Sequence, residues 1–267
     1  VKRAADRWSN AGEYERFMGR WSRLVAREFL SWISVPWRQR WIDVGCGTGA
    51  LSETVLSRCQ PVELVGLDRS LAYATAARQA RREPFAHFVA ADATRLPLRG
   101  THFDAAVSGL VINFIPDPAR AVEQMLLAVR PGGTVALYAW DYAGRMEMLR
   151  YFWDAAVALD PAARDLDEGR RFPICTPAAL AALFVGAGVD NVETHALEVG
   201  AEFESFDDFW QPFQSGDAPA PGYCLSLSES RRAKLRETLR ERLPVLPDGR
   251  IELVARAWGV RGERREV

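Results

Sequence analysis

Trp41-Ile42-Asp43-Val44-Gly45-Cys46-Gly47-Thr48-Gly49-Ala50 is the stretch that decides the fold. Trp41, Ile42 and Val44 make a short apolar run that reads as a buried strand, and three alternate glycines follow it at once. Residues 51–58 then have the character of a helix. Glycines at a strand end let the backbone turn tightly and let a ligand approach it closely. The amides that open the following helix are expected to be free for ligand oxygens. The pattern implies a nucleotide-type site, and its surroundings decide which nucleotide.

Outward from this stretch, 62–68 reads as a second strand ending in the carboxylate of Asp68, and Ser70 caps a helix over 71–81. Residues 85–90 form a third strand, followed by Ala91-Asp92-Ala93 and a loop over 94–99. A fourth strand, 103–107, opens into Ser108-Gly109. Asp117-Pro118 starts a helix, Pro131-Gly132-Gly133 is a stop and turn, and 134–140 is a fifth strand. Strands alternating with helices at this spacing predict βαβ units and a largely parallel sheet. Such sheets bind ligands beyond the carboxyl ends of their strands. Asp43 with its glycines, Asp68, Asp92 and Ser108 all fall at or just past those ends.

A length of 267 residues suits one large α/β domain, and no break is clean enough to mark a second. The net charge of −1 gives no overall pull toward nucleic acid or an anionic membrane. Cys46, Cys59, Cys175 and Cys224 form no CxxC pair, and no histidine stands at zinc spacing, so free thiols and no metal are expected. No apolar run is long enough to span a bilayer and no signal core is present, which makes the cytoplasm the expected location. The chain opens on Val1 rather than Met, so a few residues are expected to be missing from its start.

A nicotinamide or flavin dinucleotide is the rival ligand. Gly45-Cys46-Gly47-Thr48-Gly49-Ala50 fits the loose form G-x-G-x-x-[GA], and Asp68 lies near the distance of a ribose-binding acid. The acids tell against it: a pyrophosphate would face Asp43, Asp68 and Asp92 with no matching Lys or Arg. A ligand with an ammonium group, ribose hydroxyls and an exocyclic amine, but no phosphate, suits such acceptors. S-adenosylmethionine has all three. Each acid also has a capping alternative, Asp43 of the glycine turn and Asp68 or Asp92 of the next helix.

Residues 40–140 resemble the class I S-adenosylmethionine-dependent methyltransferases, particularly the small-molecule group related to the ubiquinone and menaquinone biosynthesis methyltransferases. The similar features are Asp43-Val44-Gly45-x-Gly47-x-Gly49, Gly66-Leu67-Asp68, Ala91-Asp92-Ala93-x-x-Leu96-Pro97, Phe103-Asp104 and Arg130-Pro131-Gly132-Gly133. The resemblance implies a Rossmann-like sheet of seven strands, mostly parallel, with helices on both faces, the last strand antiparallel between the fifth and sixth, and an N-terminal helical lid. It implies S-adenosyl-L-methionine as cofactor and S-adenosyl-L-homocysteine as product. Gly45 and Gly47 would pack against the methionine part, with Asp43 near its ammonium and Ser108 lining the same side. Asp68 would hold the ribose hydroxyls, Arg69 would flank the adenine, and Asp92 with the Ala93 amide would meet the adenine edge. The stretch 14–23 resembles the lid of a bacterial subgroup, which would bring Tyr14 and Arg20 near the methionine end. A surface salt bridge is the alternative for Arg20. The apolar stripe over 13–31 also fits plain packing on the sheet.

On this reading 1–39 is the lid, 40–140 the cofactor core and 141–267 a substrate-side insertion with the C-terminal strands, all within one domain. Helices are expected over 145–159, 177–185 and 228–243, strands over 192–199 and 251–260, a charged connector over 164–172, and a Pro- and Gly-rich loop over 215–222. The expected reaction is direct displacement of the sulfonium methyl by an O, N or C nucleophile of a small molecule. A base would help an oxygen nucleophile. His87, His102 and His195 are badly placed for that, and Asp141, just past the fifth strand, is the candidate, backed by the Tyr142 and Tyr14 hydroxyls. A helix cap is the alternative for Asp141. Asn113 is expected to orient the substrate or bind backbone. Trp140, Tyr142, Trp210, Phe213 and Tyr223 are expected to form an aromatic pocket or ordinary core. A small-molecule acceptor, no nucleic acid, no membrane, and a monomer or homodimer complete the expectation. The other functions weighed are an NAD(P)-dependent oxidoreductase and a non-catalytic S-adenosylmethionine-binding module.

Overall fold

A computed structural model describes residues 19–81, 83–98, 100, 102–216 and 218–266. The described chain begins with helix α1 (Arg20–Ile33) and strand β1 (Arg40–Val44). Then come α2 (Ala50–Cys59), β2 (Glu63–Asp68), α3 (Leu71–Ala80), β3 (Ala86–Ala90) and β4 (Phe103–Gly109). A 3-10 turn, Ile112–Phe114, precedes α4 (Pro118–Ala128) and β5 (Val129–Trp140). Beyond these lie α5 (Glu147–Leu159), α6 (Glu168–Arg171), α7 (Pro177–Gly186), β6 (Asp190–Phe203), α8 (Phe206–Trp210), α9 (Pro219–Ser226), α10 (Glu229–Arg242) and β7 (Ile251–Glu263).

The seven strands form one sheet in the order β3-β2-β1-β4-β5-β7-β6. β1 pairs in parallel with β2 and β4, β2 with β3, and β4 with β5. β7 runs the other way. Gly132 N donates to Arg264 O and Asp141 N donates to Arg256 O, so β5 ascends while β7 descends. The expected position of the last strand, antiparallel between the fifth and sixth, is therefore observed.

The chain divides into two compact units. Among the described residues, one comprises Ser22–Ala139, Ile174–Leu197 and 257–266; the other comprises 19–21, Trp140–Pro173 and Glu198–Arg256. The first holds β1 to β4 and the glycine-rich stretch. Its core is laid down by Trp41, Ile42 and Val44 of β1, Leu64 and Leu67 of β2, and Ala105, Ala106 and Val107 of β4, all buried. A strand buried on both faces needs apolar side chains at successive positions, and a parallel sheet requires such strands. α1 turns Val25, Ala26, Phe29, Leu30 and Ile33 inward, and the Phe29 ring lies 4.6 Å from that of Tyr138 on β5. Over 22–33 the apolar stripe thus packs on the sheet. The part of the expected lid that includes Tyr14 lies outside the described residues, and so does the side chain of Arg20.

Three local readings need correction. Pro131-Gly132-Gly133 does not stop the chain ahead of β5 but lies inside it, where the β4–β5 register shifts between Phe103 and Ala105. Gly132 takes φ +71 there, the left-handed conformation open to glycine, and the irregularity lets the strand continue. The stretch expected as a Pro- and Gly-rich loop over 215–222 carries the start of α9, with Pro219 in its first turn, where a missing N–H costs nothing. The charged connector over 164–172 contains α6, capped by Asp167, whose side chain accepts from Gly169 N.

Candidate functional site

The register brings the strand ends together. Asp43 stands opposite Gly66 on β2 and Val107 on β4, and Asp68 stands opposite Ala90 on β3. Asp43, Asp68, Asp92 and Ser108 therefore reach the same edge of the same unit. The glycine loop is fastened to β2: Gly45 N and Cys46 N both donate to Leu67 O, at 2.7 and 2.9 Å, and Gly47 N donates to Asp68 Oδ2 at 2.9 Å. Those three amides are thus engaged by the protein and are not free for ligand oxygens. The carboxylates of Asp43 and Asp68, on the two strands beside the loop, flank it instead.

Each acid has its own environment. Asp43 is fully buried, and Ser52 Oγ donates to its Oδ2 at 2.6 Å, while Oδ1 is buried with no partner among the described residues. Burial pushes the Asp43 carboxyl up to about 7, against the Ser52 hydrogen bond, which lowers it; the nearby Asp68 raises it further. Asp68 accepts Gly47 N on Oδ2 and Ser70 N on Oδ1, and burial holds its carboxyl above the usual range. Each Asp68 oxygen keeps a second lone pair for a ligand hydroxyl. Asp92 is exposed and accepts both the backbone N and the Oγ1 of Thr94 on Oδ1; these bonds hold its carboxyl below the usual range. Arg69 is exposed beside it, and Ala93 is half-buried in the same turn. Asp68 and Asp92 each bind a backbone amide two residues on, in a turn and not as a helix cap: Ser70 caps α3, and among the described residues no helix follows Asp92 before β4. They leave acceptor capacity at both sites.

Ser108 is buried, and its Oγ donates to Val44 O at 2.7 Å, tying the β4 end to the β1 end. The glycines are placed for close approach. A Cβ on Gly45 would lie 2.5 Å from the Val111 side chain, whereas one on Gly47 would meet nothing within 4 Å. Gly47 thus faces open space at φ +55.

Arg81 is the functional residue that pattern reading missed. It follows α3 with no motif around it, yet its Nη1 donates to Thr48 O at 2.9 Å and its Nη2 to Gly49 O at 2.7 Å. The guanidinium also pairs with Glu53 at 3.1 Å and lies 5.9 Å from the Phe88 ring centroid. Its positive charge opposes the upward shift of Asp43. Being committed to loop carbonyls, it is no partner for a pyrophosphate.

The other candidates lie elsewhere or act otherwise. Asn113 belongs to the sheet unit, in the 3-10 turn after β4, and both polar atoms of its carboxamide are buried without a partner among the described residues. Trp140, Asp141, Tyr142, Trp210, Phe213 and Tyr223 belong to the second unit, and all are buried. Phe213 stacks on Phe152 at 4.4 Å and lies 6.1 Å from Trp210, and Tyr223 lies 5.7 Å from Trp153. These rings pack on one another as core. Asp141 takes up its capping alternative. Its Oδ2 accepts from Arg145 N at 2.9 Å and from Arg256 Nε and Nη2 at 2.7 and 2.5 Å, so the carboxylate caps a turn and neutralises a guanidinium. Of the histidines, His102 Nε2 pairs with Glu63 and His195 stacks on Trp32 at 5.4 Å, neither near the acids. Among the described residues no group of three His, Cys, Asp or Glu could hold a metal ion.

The residues fit one cofactor chemistry. A buried acceptor without a donor, a carboxylate with spare lone pairs, an accessible acid two residues past β3 and open space over Gly47 suit an ammonium, ribose hydroxyls and an adenine amine. Residues 42–137 match the family model described as a methyltransferase domain. With the sheet order and the strand-end acids, this stretch is similar to the class I S-adenosylmethionine-dependent methyltransferases. Curated relatives of the same stretch are named as methyltransferases. The demethylmenaquinone methyltransferase of Paenarthrobacter aurescens is 32% identical over 123 residues, 46% of this chain and 46% of that protein. The malonyl-[acyl-carrier protein] O-methyltransferase of Pseudescherichia vulneris is 36% identical over 115 residues, 43% of each. The matched region thus spans less than half the length of these relatives. A solved Haemonchus contortus phosphoethanolamine N-methyltransferase 2, in complex with phosphomonomethylethanolamine and S-adenosylhomocysteine, shares the fold at a TM-score of 0.58 and 14% identity. The likeness covers 96% of this chain and 57% of that one.

Proposed function

We propose that this protein transfers the methyl group of S-adenosylmethionine to an O, N or C nucleophile of a small molecule by direct displacement. The observation that carries the proposal is the fully buried Asp43, with one carboxylate oxygen bonded to Ser52 and the other left for a donor, at the strand edge shared with Asp68 and Asp92. A buried acceptor without a donor costs stability, and a cofactor ammonium supplies the missing partner. In this reading Asp68 takes the ribose hydroxyls, Asp92 and Ala93 the adenine edge with Arg69 beside the ring, and Gly45, Gly47 and Ser108 line the methionine part.

Bound there, the cofactor supplies an electrophilic methyl on a sulfonium. The chain's own contribution is to bind, orient and exclude water, which carries much of the rate in a displacement that needs an in-line approach. No base is assigned. The acceptor class follows the small-molecule relatives, and the four buried free cysteines favour a reducing, cytoplasmic setting. No helix among the described residues is long and apolar enough to cross a membrane.

The test is thermal unfolding with added ligands, then a labelled-methyl assay on metabolite extracts. S-adenosylhomocysteine is expected to raise the Tm and NADH to leave it unchanged. Stabilisation by NADH alone would return the site to the oxidoreductase reading. Cofactor binding with no methyl transfer to any pool would leave the non-catalytic module.

A further inference from the structure

Three buried polar atoms at the β1 and β4 ends lack partners among the described residues: Asp43 Oδ1, Asn113 Oδ1 and Asn113 Nδ2. Two are acceptors and one is a donor. Buried polar groups are almost always satisfied, and their coincidence at one strand edge calls for a ligand that answers all three.

The backbone is bent to put Asn113 there. Leu110, directly after β4, takes φ +60, a left-handed conformation unfavourable for a residue with a branched side chain, and its N donates to Tyr138 O at 2.8 Å. Val111 then lies against Gly45, where an added Cβ would be 2.5 Å away. Ile112–Phe114 follow as a single 3-10 turn. The turn that carries Asn113 is thereby held beside the glycine loop. The strand order β3-β2-β1-β4 sets Asn113 on the opposite side of β1 from Asp68 and Asp92.

We propose that the Asn113 carboxamide binds the amino-acid end of the cofactor, with Nδ2 donating to its carboxylate and Oδ1 accepting from its ammonium alongside Asp43. The assignment rests on the cofactor reading above and replaces the expectation that Asn113 orients the methyl acceptor. An α-amino acid group carries the needed inventory: a cation with three N–H donors for the two orphaned oxygens, and an anion for the orphaned N–H. A simple carboxylate would leave both oxygens unanswered, and a hydroxyl would answer one. Adenosine, lying toward Asp68 and Asp92, leaves this side of β1 to the methionine part.

The experiment compares two probes by titration calorimetry: S-adenosylhomocysteine, which has the amino-acid end, and 5′-methylthioadenosine, which lacks it. Asn113→Ala is expected to weaken S-adenosylhomocysteine about 10- to 100-fold, as the loss of hydrogen bonds to charged groups does, and to leave 5′-methylthioadenosine within about twofold. Asn113→Asp keeps the shape and one acceptor but loses the donor and repels the carboxylate; it is expected to show the same split. Unchanged S-adenosylhomocysteine affinity in both variants overturns the assignment. An equal fall for both probes in both variants also overturns it, because that marks a role in holding the fold. Failure of the wild-type protein to bind either probe would instead overturn the cofactor reading.

Discussion

Arg81 Nη2 donates to the Gly49 carbonyl oxygen at 2.7 Å, joining the end of α3 to the last glycine of the loop. Gly49 stands at φ +91, and a Cβ there would lie 2.6 Å from the guanidinium. Gly49→Ala therefore suffers twice, by about 1–2 kcal/mol for the left-handed backbone and by displacement of Arg81. Arg81→Met removes one donor from each of two loop carbonyls, Gly49 O keeping that of Glu53 N, and is expected to cost about 1–3 kcal/mol, within the range for hydrogen bonds to a charged group. Urea midpoints measure both. Weaker S-adenosylhomocysteine binding is expected in each, since the loop that carries Gly47 loses its brace. An Arg81→Met protein with unchanged stability and affinity would show that the carbonyls do not need it.

Asp43 makes cofactor binding depend on pH. Its carboxyl titrates at about 7, so below that pH much of the empty protein holds it neutral. Only the ionised form attracts an ammonium, so binding releases a proton, and affinity for S-adenosylhomocysteine is expected to rise as pH increases from 6 through 7. Asp43→Asn removes that rise. 5′-methylthioadenosine has no ammonium, and its affinity is expected to stay flat over the window. Asp68→Ala should weaken both ligands, because Asp68 is the proposed acceptor of the ribose hydroxyls and also holds Gly47 N.

Asp141 and Arg256 are 115 residues apart in sequence and share an ion pair in which Asp141 is buried and Arg256 half-buried. Asp141→Ala removes the acceptor of Arg145 N and of Arg256 Nε and Nη2, and leaves the guanidinium its longer contact with Glu198 at 3.5 Å. Removing one partner of a fully buried pair costs roughly 3–5 kcal/mol, and the partial exposure of Arg256 reduces this to about 2–3 kcal/mol. Any activity lost should follow the folded fraction, with the pH–rate profile unchanged. A new pH dependence in kcat at full folding would restore Asp141 as a proton carrier.

What was legible in sequence was what local chemistry decides. Apolar runs flanked by glycine or aspartate marked β1 to β4 to within a few residues, because a parallel strand buried on both faces leaves few polar positions. The alternation then fixed where Asp43, Asp68 and Asp92 must gather. Pro131-Gly132-Gly133 and Pro219 misled, since the same residues that end one element can lie within a bulged strand or start a helix. The clamp of Arg81, the pairing of Asp141 with Arg256 and the orphaned amide of Asn113 depend on partners distant in the chain or on the lack of one. No local pattern carries such information. The aromatic residues of the second unit show the limit most clearly: Phe213 and Trp210 read equally well as pocket or core, and no local pattern announces the stacking of Phe213 on Phe152.

Glu168 gives the second unit a pH dependence of its own. It is buried at the start of α6, Trp153 Nε1 donates to it, and burial raises its carboxyl from the ordinary 4.5 to about 7. Between those values the folded protein holds a proton that the unfolded chain has released. Stability must then fall as pH rises from about 4.5 to 7, and the effect is complete above 7. Asp43 acts in the same direction, so the two carboxyls add in the cofactor-free protein. Glu168→Gln retains an oxygen for Trp153 and abolishes the titration, and its denaturation midpoints at pH 5, 6, 7 and 8 are expected to fall less steeply than those of the wild type. Saturating S-adenosylhomocysteine removes the Asp43 share, because the bound ammonium stabilises the ionised form, while the Glu168 share persists. A Glu168→Gln slope identical to the wild type, with and without ligand, would mean that the carboxyl is already ionised in the folded state.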